Sequence, residues 1–132
     1  MGLSTVIILN PSAHGLLGHH QWARWEPAIL RRLSPVELMV AEGPDEAEQA
    51  AWNASMGGFG RLVVVGDLLT AHGVVNGVMR LAEGHRRALK IGFLSLVAPD
   101  PWCRSLNLPA RIDRQLEILG AAHVLPYDVG RI

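Results

Sequence analysis

"RLVVVGDLLTAHGVVNG", residues 61–77, joins an apolar, β-branched run to a stretch with helical spacing across Gly66 and Asp67. The run Leu62–Val65 has no polar alternation, which suits a strand covered on both faces. From about Thr70 to Glu83, Val74, Val78 and Leu81 fall on one helical stripe, with Gly73 and Gly77 on a neighbouring face. Each glycine costs about 1 kcal/mol against alanine inside a helix. Close approach of this helix to the sheet is the expected compensation. The turn between strand and helix is where a phosphate loop would lie, yet Asp67, Leu68 and Leu69 fill it. Whether it is a nucleotide site or only the scaffold of one decides the functional reading.

Outward from this unit the same alternation repeats. Strands are predicted at Thr5–Leu9, Val36–Val40 and Leu89–Leu96. Trp22, Trp25, Ile29 and Leu33 recur at helical spacing. Pro27 either kinks that helix or stands in its first turn, the regular part then starting near Glu26. "PDEAEQAAWNASM", residues 44–56, reads as a helix with Asp45, Glu46 and Glu48 near its positive end and a small inner face of Ala47, Ala50, Ala51 and Ala54. A last helix is predicted over Ile112–Leu119, stopping at Gly120, with an extended "HVLPYDVGRI" after it. Strand and helix alternate throughout, the pattern of an α/β domain with a mainly parallel sheet. In such folds ligands bind at loops leaving the carboxyl ends of strands. Here these are 10–20, 41–45, 66–70 and 97–101.

The 132 residues suffice for one domain with a sizeable core. Twelve acidic and twelve basic residues balance, so no electrostatic footprint for nucleic acid is present. Lys90 is the sole lysine and heads a predicted strand, away from the loops. The single cysteine, Cys103, excludes an internal disulfide and points to a reducing compartment. No apolar stretch approaches the ~20 residues of a membrane span, and no signal peptide is recognisable. A soluble, cytoplasmic chain is expected.

"VIILNPSAHG", "VVVGDLLTAHGVVNGVM", "KIGFLSLVAPDPWCRSLNLP" and "PYDVGRI" occur in this order along nearly the whole chain. Together they resemble the N-terminal domain of lipid kinases related to diacylglycerol and sphingosine kinases. The resemblance implies a three-layer α/β/α fold similar to NAD kinase and phosphofructokinase. It also implies ATP, with Mg²⁺, as cofactor where the family function is retained. Residues 1–132 would form one domain, and the family's β-rich second domain, with its catalytic acid, would be absent.

The departures from the family pattern are specific. Asn10 and Pro11 match its first loop, and "SAHG" then blurs it. Ala41 stands where a threonine is usual. The family's Gly-Gly-Asp-Gly-Thr meets "GDLLT", so Gly66 and Thr70 match, and Asp67 reaches the family aspartate only through a one-residue shift. Gly-Thr-Gly-Asn-Asp becomes "VAPDP", residues 97–101. Glycine lets backbone N–H groups approach an anion. Leu68 and Leu69 add bulk there, and Pro99 and Pro101 carry no N–H. At about 1.5–3 kcal/mol for each charged hydrogen bond, losing three or four removes most of a micromolar affinity of about 8 kcal/mol.

The candidate phosphate contacts are Asn10, Pro11, Ser12, Gly66, Asp67 and Thr70. No catalytic or metal-binding residue is assigned. Asn10 could orient a ribose or phosphate, or only end its strand by turn chemistry. Asp67 reads as a helix cap beside Thr70, with Mg²⁺ binding as the alternative. Asn76 and Gly77 are read as packing residues, and His14, His19 and His20 as a solvated loop. His72 is placed in a first helical turn, where it could meet an anion. The tryptophans Trp22, Trp25, Trp52 and Trp102 are core or interface anchors, and Cys103 packs as a small apolar group.

Two readings follow. One is a degenerate lipid-kinase domain, a pseudoenzyme acting as a structural or interaction module, self-associating through the face that a second domain would cover. The other is the ATP-binding half of an active diacylglycerol or related lipid kinase with atypical phosphate loops. A pocket made more apolar by Leu68, Leu69, Val97 and Pro99, for a less charged ligand, is a third. A homo-oligomer, a protein partner, a nucleotide and a lipid are the partners these readings admit.

Overall fold

The computed structural model describes residues 4–81, 84, 89–97 and 111–120. Strands β1 (Thr5–Leu9), β2 (Val36–Val40), β3 (Arg61–Val65) and β4 (Lys90–Leu94) form one sheet in the order β2-β1-β3-β4. Every pair is parallel. Among the described residues the helices are α1 (Gly15–Leu33), α2 (Pro44–Met56), α3 (Leu68–Met79) and α4 (Ile112–Gly120). Glu83, Pro99, Pro101, Trp102, Cys103 and the closing stretch 123–132, all named above, lie outside the described residues.

The apolar runs explain the layers. Every residue of β1 is buried, and successive side chains point to opposite faces. Val6, Ile8, Leu62 and Val64 face α2 and α3, packing with Ala47, Ala51, Val74 and Val78. Ile7, Leu9, Val63 and Val65 face α1 and α4, packing with Trp22, Ile29, Leu33 and Leu116. The expected α/β/α sandwich follows, with β1 and β3 at its centre.

The glycines of α3 settle where that sandwich is tightest. A Cβ on Gly73 would strike Pro44 O and stand 3.0 Å from Ala47 Cβ; one on Gly77 would strike Glu48 O and stand 2.9 Å from Ala51 Cβ. The close approach is therefore to α2, not to the sheet as the sequence suggests. The small inner face of α2 and the glycine face of α3 make one helix–helix seam, whose dispersion contacts offset the glycines' conformational cost. Asn76, read as a packing residue, is instead exposed. Arg80 closes the outer side of the seam, 3.6 Å from Glu48 and stacked 4.6 Å over the Trp52 ring. The pair is half-exposed and contributes at most about 1 kcal/mol.

One alternative drops out and two further expectations change. Pro27 lies inside one continuous helix and is exposed, so α1 does not begin near Glu26. His19 and His20 stand on the solvent side of that helix rather than in a loop. The helix N-terminus of α3 lies at Leu68, which puts His72 beyond the first turn, exposed.

The seam predicts an asymmetry between neighbours. Gly77→Val overpacks it and should lower unfolding stability by about 2 kcal/mol, whereas Asn76→Ala should change it by less than about 0.5 kcal/mol. Urea denaturation of the two variants measures both.

Candidate functional site

The chain leaves β1 towards β2 through α1, then returns past β1 to β3 through α2. The loops after β1 and β3 therefore diverge to opposite faces, the crossover geometry that places ligand crevices in open α/β sheets. Asn10, Pro11, Ser12, Gly66, Asp67 and Thr70 all belong to these two loops and the first turn of α3.

Their polar atoms are engaged with one another. Asp67 caps α3: its Oδ1 accepts from the Thr70 N–H at 2.9 Å and from the Thr70 hydroxyl at 2.7 Å. The Thr70 hydroxyl accepts in turn from Asn10 Nδ2 at 3.2 Å, a link between residues sixty apart in sequence. Asn10 Oδ1 accepts from the Ser12 N–H at 3.1 Å, a local Asx turn. The Asn10 N–H donates to Val65 O at 2.9 Å. Both readings of Asn10 as a turn former and of Asp67 as a cap are met, and the same bonds lock the loops together.

Gly66 serves this arrangement. A Cβ there would lie 2.9 Å from Thr70 Oγ1 and 3.0 Å from Thr70 Cβ. Its backbone is not left-handed, unlike that of Gly15 and Gly58. The glycine thus makes room for a buried threonine.

Between the loops remains a crevice of about 10 Å³, lined by Leu9, Asn10, Pro11, His14, Val65 and Leu96 among others. That admits about one water, against some hundreds of Å³ for a ligand pocket. Leu68 and Leu69 do not line it; they are 55% and 61% exposed. The hydrogen-bonded bridge and the strand ends close the crevice, and these leucines face solvent in the first turn of α3. His14 is half-buried against it rather than solvated. Among the described residues no three of His, Cys, Asp and Glu converge as metal ligands would.

One residue at this end escapes the sequence reading. Gln115, buried on α4, accepts from the Ser95 N–H through Oε1 at 2.7 Å and donates through Nε2 to Ser95 O at 3.1 Å. It satisfies both backbone groups just past β4 and fixes where the loop after that strand starts. The signal was a lone amide on the apolar stripe of Ile112, Leu116 and Leu119.

The crossover position, the Asn-Pro turn after β1 and the Gly66–Thr70 turn after β3 agree with a comparison across the chain: the diacylglycerol kinase catalytic domain matches residues 4–132. The chain belongs to that family. A crystal structure of a diacylglycerol kinase from Bacillus anthracis str. Sterne is similar, with TM-score 0.74 and 17% identity over 93% of this chain. Two more structures from that organism, of proteins assigned as diacylglycerol kinases, each give TM-score 0.75 at 16% identity over 93% of this chain. At such identities the likeness establishes the fold. The chain spans 40–43% of the length of those structures. No curated protein matches its sequence. Among the described residues, no helix of this diacylglycerol kinase-type domain is long and apolar enough to cross a membrane.

The bridge gives Asp67 a measurable structural role. Asp67→Ala removes the cap and should cost about 1–2 kcal/mol of stability, while Asp67→Asn should retain most of it. Equal stability of the alanine variant and the native chain would show that the carboxylate is not holding α3.

Proposed function

We propose that this chain is a degenerate diacylglycerol kinase-type domain that does not transfer phosphate by itself and serves as a structural or interaction module. The observation that supports this most directly is the Asn10–Thr70–Asp67 bridge over a crevice of about 10 Å³. A nucleotide triphosphate needs several donors aimed at its oxygens and a cavity to receive them. Here the side chains at the family positions bond to each other. The described residues at these positions therefore do not fit ATP and Mg²⁺.

The alternative is the ATP-binding half of an active lipid kinase with atypical phosphate loops. Family membership favours it, as does the match of Gly66 and Thr70 to the family pattern at the crossover. On that reading the bridge breaks when nucleotide binds, Thr70 and the α3 N-terminus turn to the phosphates, and the binding energy must exceed the cost of uncapping the helix.

Calorimetric titration with ATP and Mg²⁺ separates the two. The proposal predicts a dissociation constant weaker than about 1 mM, or less than about 4 kcal/mol of binding energy. A micromolar constant, about 8 kcal/mol, would overturn it in favour of the kinase reading.

A further inference from the structure

We propose that two copies of this chain pair through their β2 strands into one continuous sheet. The surface lies at one of the sheet's two edges among the described residues, apart from the crevice, and the inference does not depend on whether nucleotide binds.

Among the described residues β2 has a neighbour on one side only. Its ladder to β1 fixes what the other side offers. The Thr5 N–H donates to Pro35 O at 3.2 Å and the Ala41 N–H donates to Leu9 O at 2.8 Å. In a parallel ladder alternate residues serve the same neighbour. Residues 35, 37, 39 and 41 therefore address β1, and Val36, Leu38 and Val40 turn their N–H and C=O groups outward. These three are also in register with Thr5, Ile7 and Leu9, so their side chains stand on the α1 face. Leu38 is 41% and Val40 55% exposed there. Backbone valence and apolar surface coincide on the same residues.

A second copy completes this edge in one particular register. With a twofold axis through Leu38 the strands run antiparallel, Leu38 opposite its own copy and Val36 opposite the other Val40. All three pairs are of the hydrogen-bonded type, giving roughly six bonds, two for each pair. Their side chains form three apolar cross-strand contacts on one face. On the other face Glu37 meets Met39 of the second copy. An axis through Glu37 would instead oppose two like charges. An axis through Met39 would place Val36 opposite Glu42 and so lose an apolar pair. Only the Leu38 axis uses every outward group without opposing charges, which is what an isologous interface requires.

Soluble proteins usually blunt open edges with lysine, proline or a bulge. β2 reads VELMV, with no lysine and no proline inside it, and its register with β1 is unbroken over all five residues. The zero net charge of the chain adds no repulsion between copies. The joined sheet would hold four strands from each copy.

Sedimentation velocity over a concentration series, with amide hydrogen exchange on the same samples, tests this. The native chain should show a concentration-dependent dimer. The Leu38 and Val40 amides should exchange rapidly in dilute samples and slow as dimer forms, while Glu37 and Met39 stay slow throughout. Leu38→Lys and Val40→Lys, each checked for native circular dichroism, should raise the dissociation constant about tenfold or more, equivalent to about 1.4 kcal/mol. A native chain that stays monomeric at every concentration would overturn the proposal. So would a dimer that leaves the Leu38 and Val40 amides unprotected, a result that needs no variant to fold. Concentration-independent protection of these amides would show that a segment of the same chain already covers the edge, and would overturn it equally.

Discussion

The hydroxyl of Thr70 holds together the end of the sheet where the loops after β1 and β3 diverge. It donates to Asp67, which caps α3, and accepts from Asn10, which ends β1. Each partner belongs to a different strand–helix unit, and the two units leave the sheet on opposite faces. A buried hydroxyl without partners would cost about 1–3 kcal/mol, so the site is stable only while all three groups remain in place. Gly66 is small because Thr70 needs the space. The crevice is narrow because the loops are drawn together. Asn10, Asp67 and Thr70 thus fasten the two units to one another.

The two faces of the sheet are built on different terms. On the α2–α3 side, alanine and glycine bring the helices so close that their backbones touch the opposing seam, leaving little freedom for substitution. On the α1–α4 side, bulky residues such as Trp22, Ile29, Leu33 and Leu116 fill the space. Gly92 is the exception, since a Cβ there would strike the Leu119 side chain. Buried Gln115 then ties α4 to the backbone beyond β4. The result is a scaffold centred on β1 and β3, with β2 and β4 at the two edges of the sheet among the described residues.

The sequence made the four strands legible because their apolar runs are continuous, and the order of elements followed from the alternation. It also made Asp67 legible as a cap, since an aspartate three residues before the N–H it accepts is a local signal. What it could not show was which neighbour a small face meets. Gly73 and Gly77 announced a close approach, but whether to sheet or helix depends on how α2 is oriented over the sheet, a tertiary matter. The exposure of Leu68 and Leu69 was not legible, for a similar reason. The cap sets where the helix starts, and that start turns both leucines to solvent. Gln115 was visible only as an anomaly on an apolar stripe, and its partner, the backbone of Ser95, has no sequence signature.

A double-mutant cycle between Asn10→Ala and Thr70→Val, read by chemical denaturation, tests the central claim most directly. If the loops are fastened by the hydrogen bond between these side chains, the cycle returns a coupling of about 1 kcal/mol, within the range found for contacting residues. Additive effects, with no coupling between two residues placed 3.2 Å apart, would contradict the account and return these side chains to the service of a ligand.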